Sequence, residues 1–143
     1  MANPSKPVSM YQMVYDWTRY TTISFAKSLH KLNVGKTLEL RKSLGNYHVQ
    51  GNVDDVEKVV WEFLKYGRFR DMGVGKGQRL GDVKGNQTIY RETGVKGRVP
   101  KKWYSKTIYG ESNKLAQLLN QHYSKNITSE IKESLPDSIN ISL

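Results

Sequence analysis

The sequence of 143 residues contains no cysteine, which excludes disulfide bonds, thiolate metal sites and cysteine nucleophiles. Its three histidines, His30, His48 and His122, do not stand at the i, i+4 spacing of a helical metal-binding pair, so we expect no zinc site and no other cofactor. The longest uncharged run, residues 43–53, is short and rich in polar side chains. It cannot cross a bilayer, and we expect no membrane partner.

Acidic side chains are scarce, and they form no recognisable catalytic set. Asp54 and Asp55 lie in a predicted turn, and Glu130 and Glu133 lie on the polar face of a predicted helix. The run Gly73-Val74-Gly75-Lys76-Gly77 lacks the first glycine and the Ser/Thr of a Walker loop, and it lacks the third glycine of a dinucleotide fingerprint. We therefore predict that the protein is not an enzyme. A small metal-dependent nuclease is the catalytic alternative.

Positive charge is abundant and unevenly placed. The chain has 23 lysine and arginine residues against 13 acidic ones, which gives a formal net charge of +10. Residues 65–106 carry 12 of the basic and three of the acidic residues, and eight of the 12 glycines lie between positions 67 and 97. We predict an extended, glycine-rich basic loop over residues 65–102. Its charge is compatible with contact to DNA phosphates, with contact to an acidic protein surface, and with solubility alone.

The periodicity of apolar residues divides one α+β domain into five segments. Residues 1–9 form a proline-containing arm, and residues 10–64 form a long helix followed by a β-hairpin. The basic loop over 65–102 comes next. A helical region over 103–135 and a tail over 136–143 complete the chain. A single domain is the expectation at this length.

The helix and the hairpin are predicted from different apolar spacings. Steps of three or four residues predict one amphipathic helix from Met10 to Leu32, followed by a left-handed cap at Gly35. Residues 56–64 are dense in β-formers and follow a polar turn, so they predict an antiparallel hairpin with residues 46–53. The face of the second strand that is expected to meet the core carries Val59, Trp61 and Phe63.

Three short motifs stand at the borders of these segments. The first lies before the hairpin, downstream of Gly35, and reads Leu40-Arg41-Lys42-Ser43-Leu44. The second follows the hairpin and reads Tyr66-Gly67-Arg68-Phe69-Arg70-Asp71-Met72-Gly73. The third opens the last helix with Pro100, Trp103 and Tyr104. Together these motifs resemble the tail-completion proteins of tailed bacteriophages, also called head–tail connector or neck proteins.

The resemblance implies a structural virion protein, assembled in the host cytoplasm. Members of this family are small α+β subunits in which a twisted antiparallel sheet packs against helices. They form rings, commonly of six or twelve copies, between portal or adaptor proteins and tail proteins, and the rings surround or seal the DNA exit channel. The chain departs from the family at Val74, where threonine is frequent, and in the length of its basic insertion.

Two groups of residues are expected to make contacts outside the core. Basic side chains are expected to contact double-stranded DNA or a protein partner: Lys76, Arg79, Lys84, Arg91, Lys96, Arg98, Lys101 and Lys102. Aromatic side chains are expected to anchor the loop or to form the subunit interface, with plain core packing as the alternative: Tyr66, Phe69, Trp103 and Tyr104. The alternative function is a non-specific nucleic-acid-binding protein that uses the basic loop.

Overall fold

The first helix, α1, spans Met10–Lys31 and confirms the predicted amphipathic helix. The Ser9 hydroxyl caps its N-terminus by accepting a hydrogen bond from the Gln12 amide at 3.2 Å. The computed structural model describes residues 8–35, 38–75, 82–94 and 99–134. Most of the predicted arm and the whole predicted tail over 136–143 therefore lie outside the described residues.

α1 ends in a hydrogen-bonded turn at Asn33, so the prediction that Gly35 caps it is wrong. The Asn33 amide donates to the His30 carbonyl at 3.1 Å, and the Val34 amide donates to the Leu29 carbonyl at 3.0 Å. This pair of bonds defines a Schellman motif, in which the residue after the helix is left-handed. Asn33 has a φ of 52°, which asparagine tolerates better than most residues do. Gly35 is also left-handed, with a φ of 74°, but it lies beyond the cap.

A short helix and the predicted β-hairpin follow. α2 spans Glu39–Ser43. The strands β1 (Tyr47–Gly51) and β2 (Val56–Trp61) pair in antiparallel register and form the two-stranded sheet. The polar turn between them is closed by the Asn52 side chain, which accepts hydrogen bonds from two following backbone amides. The α+β class is therefore confirmed.

Two helices occupy much of the segment that the sequence predicts as an extended loop. α3 spans Lys65–Met72, and α4 spans Val83–Thr93. The prediction of irregular structure over 65–102 is wrong for these two elements. Residues 76–81 and 95–98 of the predicted loop lie outside the described part of the chain.

The physical reason for this error is that several glycines of the segment stand at helix ends. Gly73 and Gly94 follow α3 and α4 with φ values of 72° and 65°, a left-handed conformation in which glycine carries no steric cost. At the other end of α4, the Asp82 carboxylate accepts a hydrogen bond from the Gly85 amide at 2.8 Å. Two of the glycines thus mark the C-terminal ends of short helices, whereas Gly67 and Gly85 lie inside them.

The last helix, α5, is one continuous element over Ser105–Ser134. At 30 residues it is about 45 Å long, since each helical residue rises about 1.5 Å. The helical region predicted over 103–135 is therefore a single helix over its described residues. Ile108, Leu115 and Leu119 pack against the core as predicted, whereas Leu118 is 38 % exposed.

The core consists of two adjoining clusters. One surrounds the start of α1 and is formed by Met10, Val14 and Trp17. The other is formed by Phe25, Leu29, Val34, Leu40, Leu44 and Trp103. Trp61 and Ile108 pack against both clusters and join them. The predicted inner face of the hairpin is confirmed, since Val59, Trp61 and Phe63 all pack on these clusters; Val56, at the start of β2, packs there too.

Candidate functional site

The second and third sequence motifs meet at one place, the α3–α5 joint, which we define by Gly67, Asp71, Trp103, Tyr104 and Ser105. Trp103 is completely buried, and its indole Nε1 donates a hydrogen bond to the Gly67 carbonyl at 2.8 Å. A buried indole N–H needs such an acceptor, because it has lost its bond to water. The joint therefore fixes the start of α5 against α3.

Gly67 permits the close approach of the two elements at this joint. A Cβ atom at position 67 would lie 2.8 Å from Leu40 Cδ1 and 3.0 Å from Trp103 Cζ2, closer than ordinary carbon contacts. Glycine ordinarily weakens a helix interior. Here its missing side chain makes the space that the indole ring occupies.

Asp71 caps α5 from a distant point of the sequence. Its Oδ1 atom accepts hydrogen bonds from the Tyr104 amide at 2.9 Å and from the Ser105 amide at 3.0 Å. The Ser105 hydroxyl is also 3.3 Å from Oδ1, and Arg68 Nη1 lies 3.1 Å from Oδ2. Asp71 is 3 % exposed. A buried carboxylate needs such donors, so Asp71 and the N-terminus of α5 satisfy each other.

The four aromatic residues singled out in the sequence occupy different environments. Trp103 is in the core, which makes it an anchor of the segment before α5 within its own chain. Tyr104 is half-buried, stacks on Phe25 at a centroid distance of 5.3 Å, and has the Arg68 guanidinium 4.8 Å above its ring centre. Tyr66 is half-buried against the same cluster. Phe69 is 45 % exposed and is the one of the four with a largely open side chain.

The predicted basic contact residues are only partly described, and the four that are described occupy different environments. Lys84 and Arg91 are exposed on α4, and Lys102 is exposed before α5. Lys101 is half-buried, and its Nζ donates to the Leu32 and Asn33 carbonyls at 2.7 Å and 3.2 Å. The remaining four lie outside the described residues: Lys76, Arg79, Lys96 and Arg98.

Lys101 opens onto a cationic pocket that the sequence did not reveal. We define the cationic pocket by His30, Arg41, Arg70 and Lys101, which line a cavity of about 460 Å³ beside the C-terminus of α1. No described carboxylate lines it. The residues come from α1, α2, α3 and the segment before α5, so their proximity follows from the tertiary fold.

The second half of α5 extends past the core. From Asn120 to the end of the helix every residue is exposed except His122, which is half-buried. Three apolar side chains of this part, at spacings of four residues, form what we call the distal stripe: Tyr123, Ile127 and Ile131. They are between 51 % and 55 % exposed. After Tyr123, the stripe has no packing partner among the described residues. It is therefore available to another molecule.

A groove of about 880 Å³ runs between α1 and the outer side of α5. Its floor includes Trp17, Tyr20, Ile23 and Leu118, of which the last three are exposed by 38 % or more. Lysines line its edges: Lys27, Lys114 and Lys125. Lys114 forms an ion pair with Glu111 at 2.9 Å. The groove thus combines an apolar floor with charged residues of both signs, since Asp16 and Glu111 line it as well.

The described residues contain no group of three or more histidine, aspartate or glutamate side chains placed to hold a metal ion. None of the described helices combines the length and the apolar character needed to cross a membrane. Comparison with protein-family models, with curated proteins and with solved structures finds no match to this chain.

Sequence reasoning missed the two residue sets that the fold assembles. Asp71 stands inside a quoted motif, but its hydrogen-bond partners are 33 and 34 positions further along the chain. The available signal was that Asp71 is one of only three acidic residues in the basic segment 65–106. Arg41 and Arg70 carried no such signal, because each lies among other basic residues and only the packing of α2 against α3 brings them together.

Proposed function

We propose that this chain is a structural, non-enzymatic subunit of a tailed-phage head–tail connector. In this proposal the subunits form a ring in the virion, between portal or adaptor proteins and tail proteins, and the ring surrounds the DNA exit channel. The sequence resemblance supplies the family. The single structural observation that supports an assembly role is the distal stripe, because an apolar helix face that the described residues leave uncovered is typical of a protein–protein contact.

The distal stripe and the groove lie on different sides of α5, which favours contacts of the head-to-tail kind. If the stripe of one copy enters the groove of the next, the contact joins two different surfaces, and such heterologous contacts close into rings when the rotation permits. Charge supports this pairing. Glu130 follows Ile127 by three positions and so borders the stripe, whereas Lys27 and Lys125 line the groove together with Asp16.

The test is the mass of the purified full chain, measured by native mass spectrometry and by light scattering over a wide range of concentration. We expect the wild type to form a discrete oligomer larger than a dimer. The variant Ile127→Lys with Ile131→Lys replaces two exposed residues of the distal stripe, so it should remain folded by circular dichroism. It should also become monomeric.

The matched control adds the same two charges to exposed polar positions of the same helix, as Gln117→Lys with Thr128→Lys. It should keep the oligomeric mass. A wild type that stays monomeric at every concentration, also when mixed with neighbouring virion proteins, contradicts the proposal. Equal loss of assembly in both variants would trace the effect to added charge and not to the stripe.

A non-specific nucleic-acid-binding protein is the second candidate function, and the cationic pocket is the observation that favours it. This candidate predicts that a monomeric chain binds random duplex DNA with strong salt dependence. Monomers with tight DNA binding would favour it over the connector, and oligomers would favour the connector.

A further inference from the structure

The cationic pocket holds positive charges that the described part of the protein leaves without counter-charges. Within the described residues there are two ion pairs, Arg68 with Asp71 and Lys114 with Glu111. Neither involves Arg41 or Arg70, the two guanidinium groups of the pocket. Arg68 has a structural role, because it forms an ion pair with the buried carboxylate of Asp71. Arg41 and Arg70 face a cavity instead.

Lys101 has a different part in the pocket. Its ammonium group donates two hydrogen bonds to the carbonyls of Leu32 and Asn33, at the C-terminus of α1. These bonds stabilise the helix end, where the last carbonyls lack partners. They also hold the ammonium at the pocket wall with one N–H donor left over, since a lysine ammonium has three. Lys101 is therefore a positioning residue, and the two arginines are the candidate contacts.

We propose that the cationic pocket binds a backbone phosphate of duplex DNA. The planar guanidinium group matches the oxygen pairs of a phosphate and donates two parallel hydrogen bonds to them. Arg41 is exposed and Arg70 is half-buried, so the phosphate would be approached from solvent on one side and from the protein on the other. The contact fixes the position of the duplex and reads no base sequence.

The distribution of charge favours DNA over an acidic protein as the occupant. Residues 65–106 have 12 basic and three acidic side chains, and both Arg70 and Lys101 belong to this stretch. Lys84, Arg91 and Lys102 are exposed in it. A duplex carries about one negative charge per 1.7 Å of its axis, so it offers phosphates continuously along an extended basic segment. An acidic protein surface offers its charges at fewer, fixed points.

This inference deepens the proposed connector function, since a ring around a DNA channel meets the duplex backbone. Its test measures DNA affinity and not the mass of the assembly. A failure of this inference can therefore be told apart from a failure of the connector proposal. Fluorescence anisotropy of a labelled random-sequence duplex is measured with the full chain at several salt concentrations. Arg41→Gln with Arg70→Gln should weaken binding several-fold at low salt and reduce the slope of log K against log salt by about 1, the share of one phosphate.

The matched control removes two positive charges elsewhere, as Arg19→Gln with Lys58→Gln, both exposed and both outside the pocket lining. It should leave the slope unchanged. Circular dichroism and the thermal midpoint check that each variant folds, and the single variant Arg41→Gln, at an exposed position, repeats the test with less risk to folding.

Three outcomes overturn the proposal. The first is an unchanged slope in the arginine variant, and the second is an equal change in the control. The third uses polyglutamate as a probe for acidic proteins. If polyglutamate binding depends on Arg41 and Arg70 while DNA binding does not, the pocket takes an acidic polypeptide and the DNA assignment is wrong.

Discussion

The two ends of the molecule use aromatic and aliphatic side chains in opposite ways. At the α3–α5 joint, Trp103 is wholly buried and its one polar atom is hydrogen-bonded. On the second half of α5, the distal stripe of Tyr123, Ile127 and Ile131 is about half exposed. The joint contributes to the stability of the chain. The stripe contributes little to it and remains available for contacts with other molecules.

The identity of an apolar residue alone therefore does not determine its role. Tyr104 and Tyr109 are five positions apart near the start of α5, yet Tyr104 stacks in the core and Tyr109 is 73 % exposed. The tertiary partner decides the difference. Substitutions at the joint should therefore change the free energy of unfolding, and substitutions on the stripe should change assembly.

The largest expected effect is at Trp103. Trp103→Ala should lower the free energy of unfolding by about 3–5 kcal/mol, because it leaves a large cavity and removes the partner of the Gly67 carbonyl. Chemical denaturation at one fixed protein concentration measures this loss, since association can also stabilise the fold. Tyr109→Ala, at an exposed position of the same helix, should stay within about 0.5 kcal/mol of the wild type. Equal losses in the two variants would remove the contrast between joint and surface.

The next largest effect is expected at Asp71. Asp71→Ala leaves the buried amide of Ser105 and that of Tyr104 without acceptors and should cost about 2–3 kcal/mol. Asp71→Asn keeps an oxygen for these amides and loses the ion pair with Arg68, whose side chain is 42 % exposed, so it should cost about 1 kcal/mol. The same denaturation measurement separates the variants. If the asparagine variant is as unstable as the alanine variant, the ion pair and not the cap is the important contact.

Elements with a long, regular apolar pattern could be predicted from the sequence. α1 follows from its stripe of residues three or four apart, and the hairpin follows from β-formers on both sides of a polar turn. α4 could not be predicted from glycine content, because Gly94 and its neighbours were counted as loop formers. The side-chain cap at Asp82 and the glycine after Thr93 were the signals that bounded this helix.

The candidate sites were less predictable, because their contacts join residues that are far apart in the sequence. Trp103 was expected to anchor the predicted loop or to lie at a subunit interface, with core packing as the alternative, and a Pro-plus-aromatic motif drew attention to it. Nothing near Asp71 indicates that its hydrogen-bond partners lie more than 30 positions away. Arg41 and Arg70 likewise have basic neighbours in the sequence, so the sequence does not distinguish them from other surface cations. Only packing distinguishes the cations that line a pocket from those that face solvent.

The smallest single effect is expected at Gly110, and it contrasts with the effect at the crowded glycine of the joint. Gly67→Ala places a methyl group 2.8 Å from Leu40 and 3.0 Å from Trp103, and it should destabilise the chain by about 1–3 kcal/mol. Gly110→Ala meets nothing within 4 Å and should stabilise α5 by about 0.5–1 kcal/mol.

Both glycines lie inside helices, so helix propensity favours alanine at both positions. The sign of the difference between the two variants in chemical denaturation therefore reports the crowding at the joint. Opposite signs would support a tightly packed joint beside an open helix surface. A stabilising Gly67→Ala would mean that α3 and Trp103 can move apart at little cost, and the joint would then be a looser contact than its hydrogen bonds indicate.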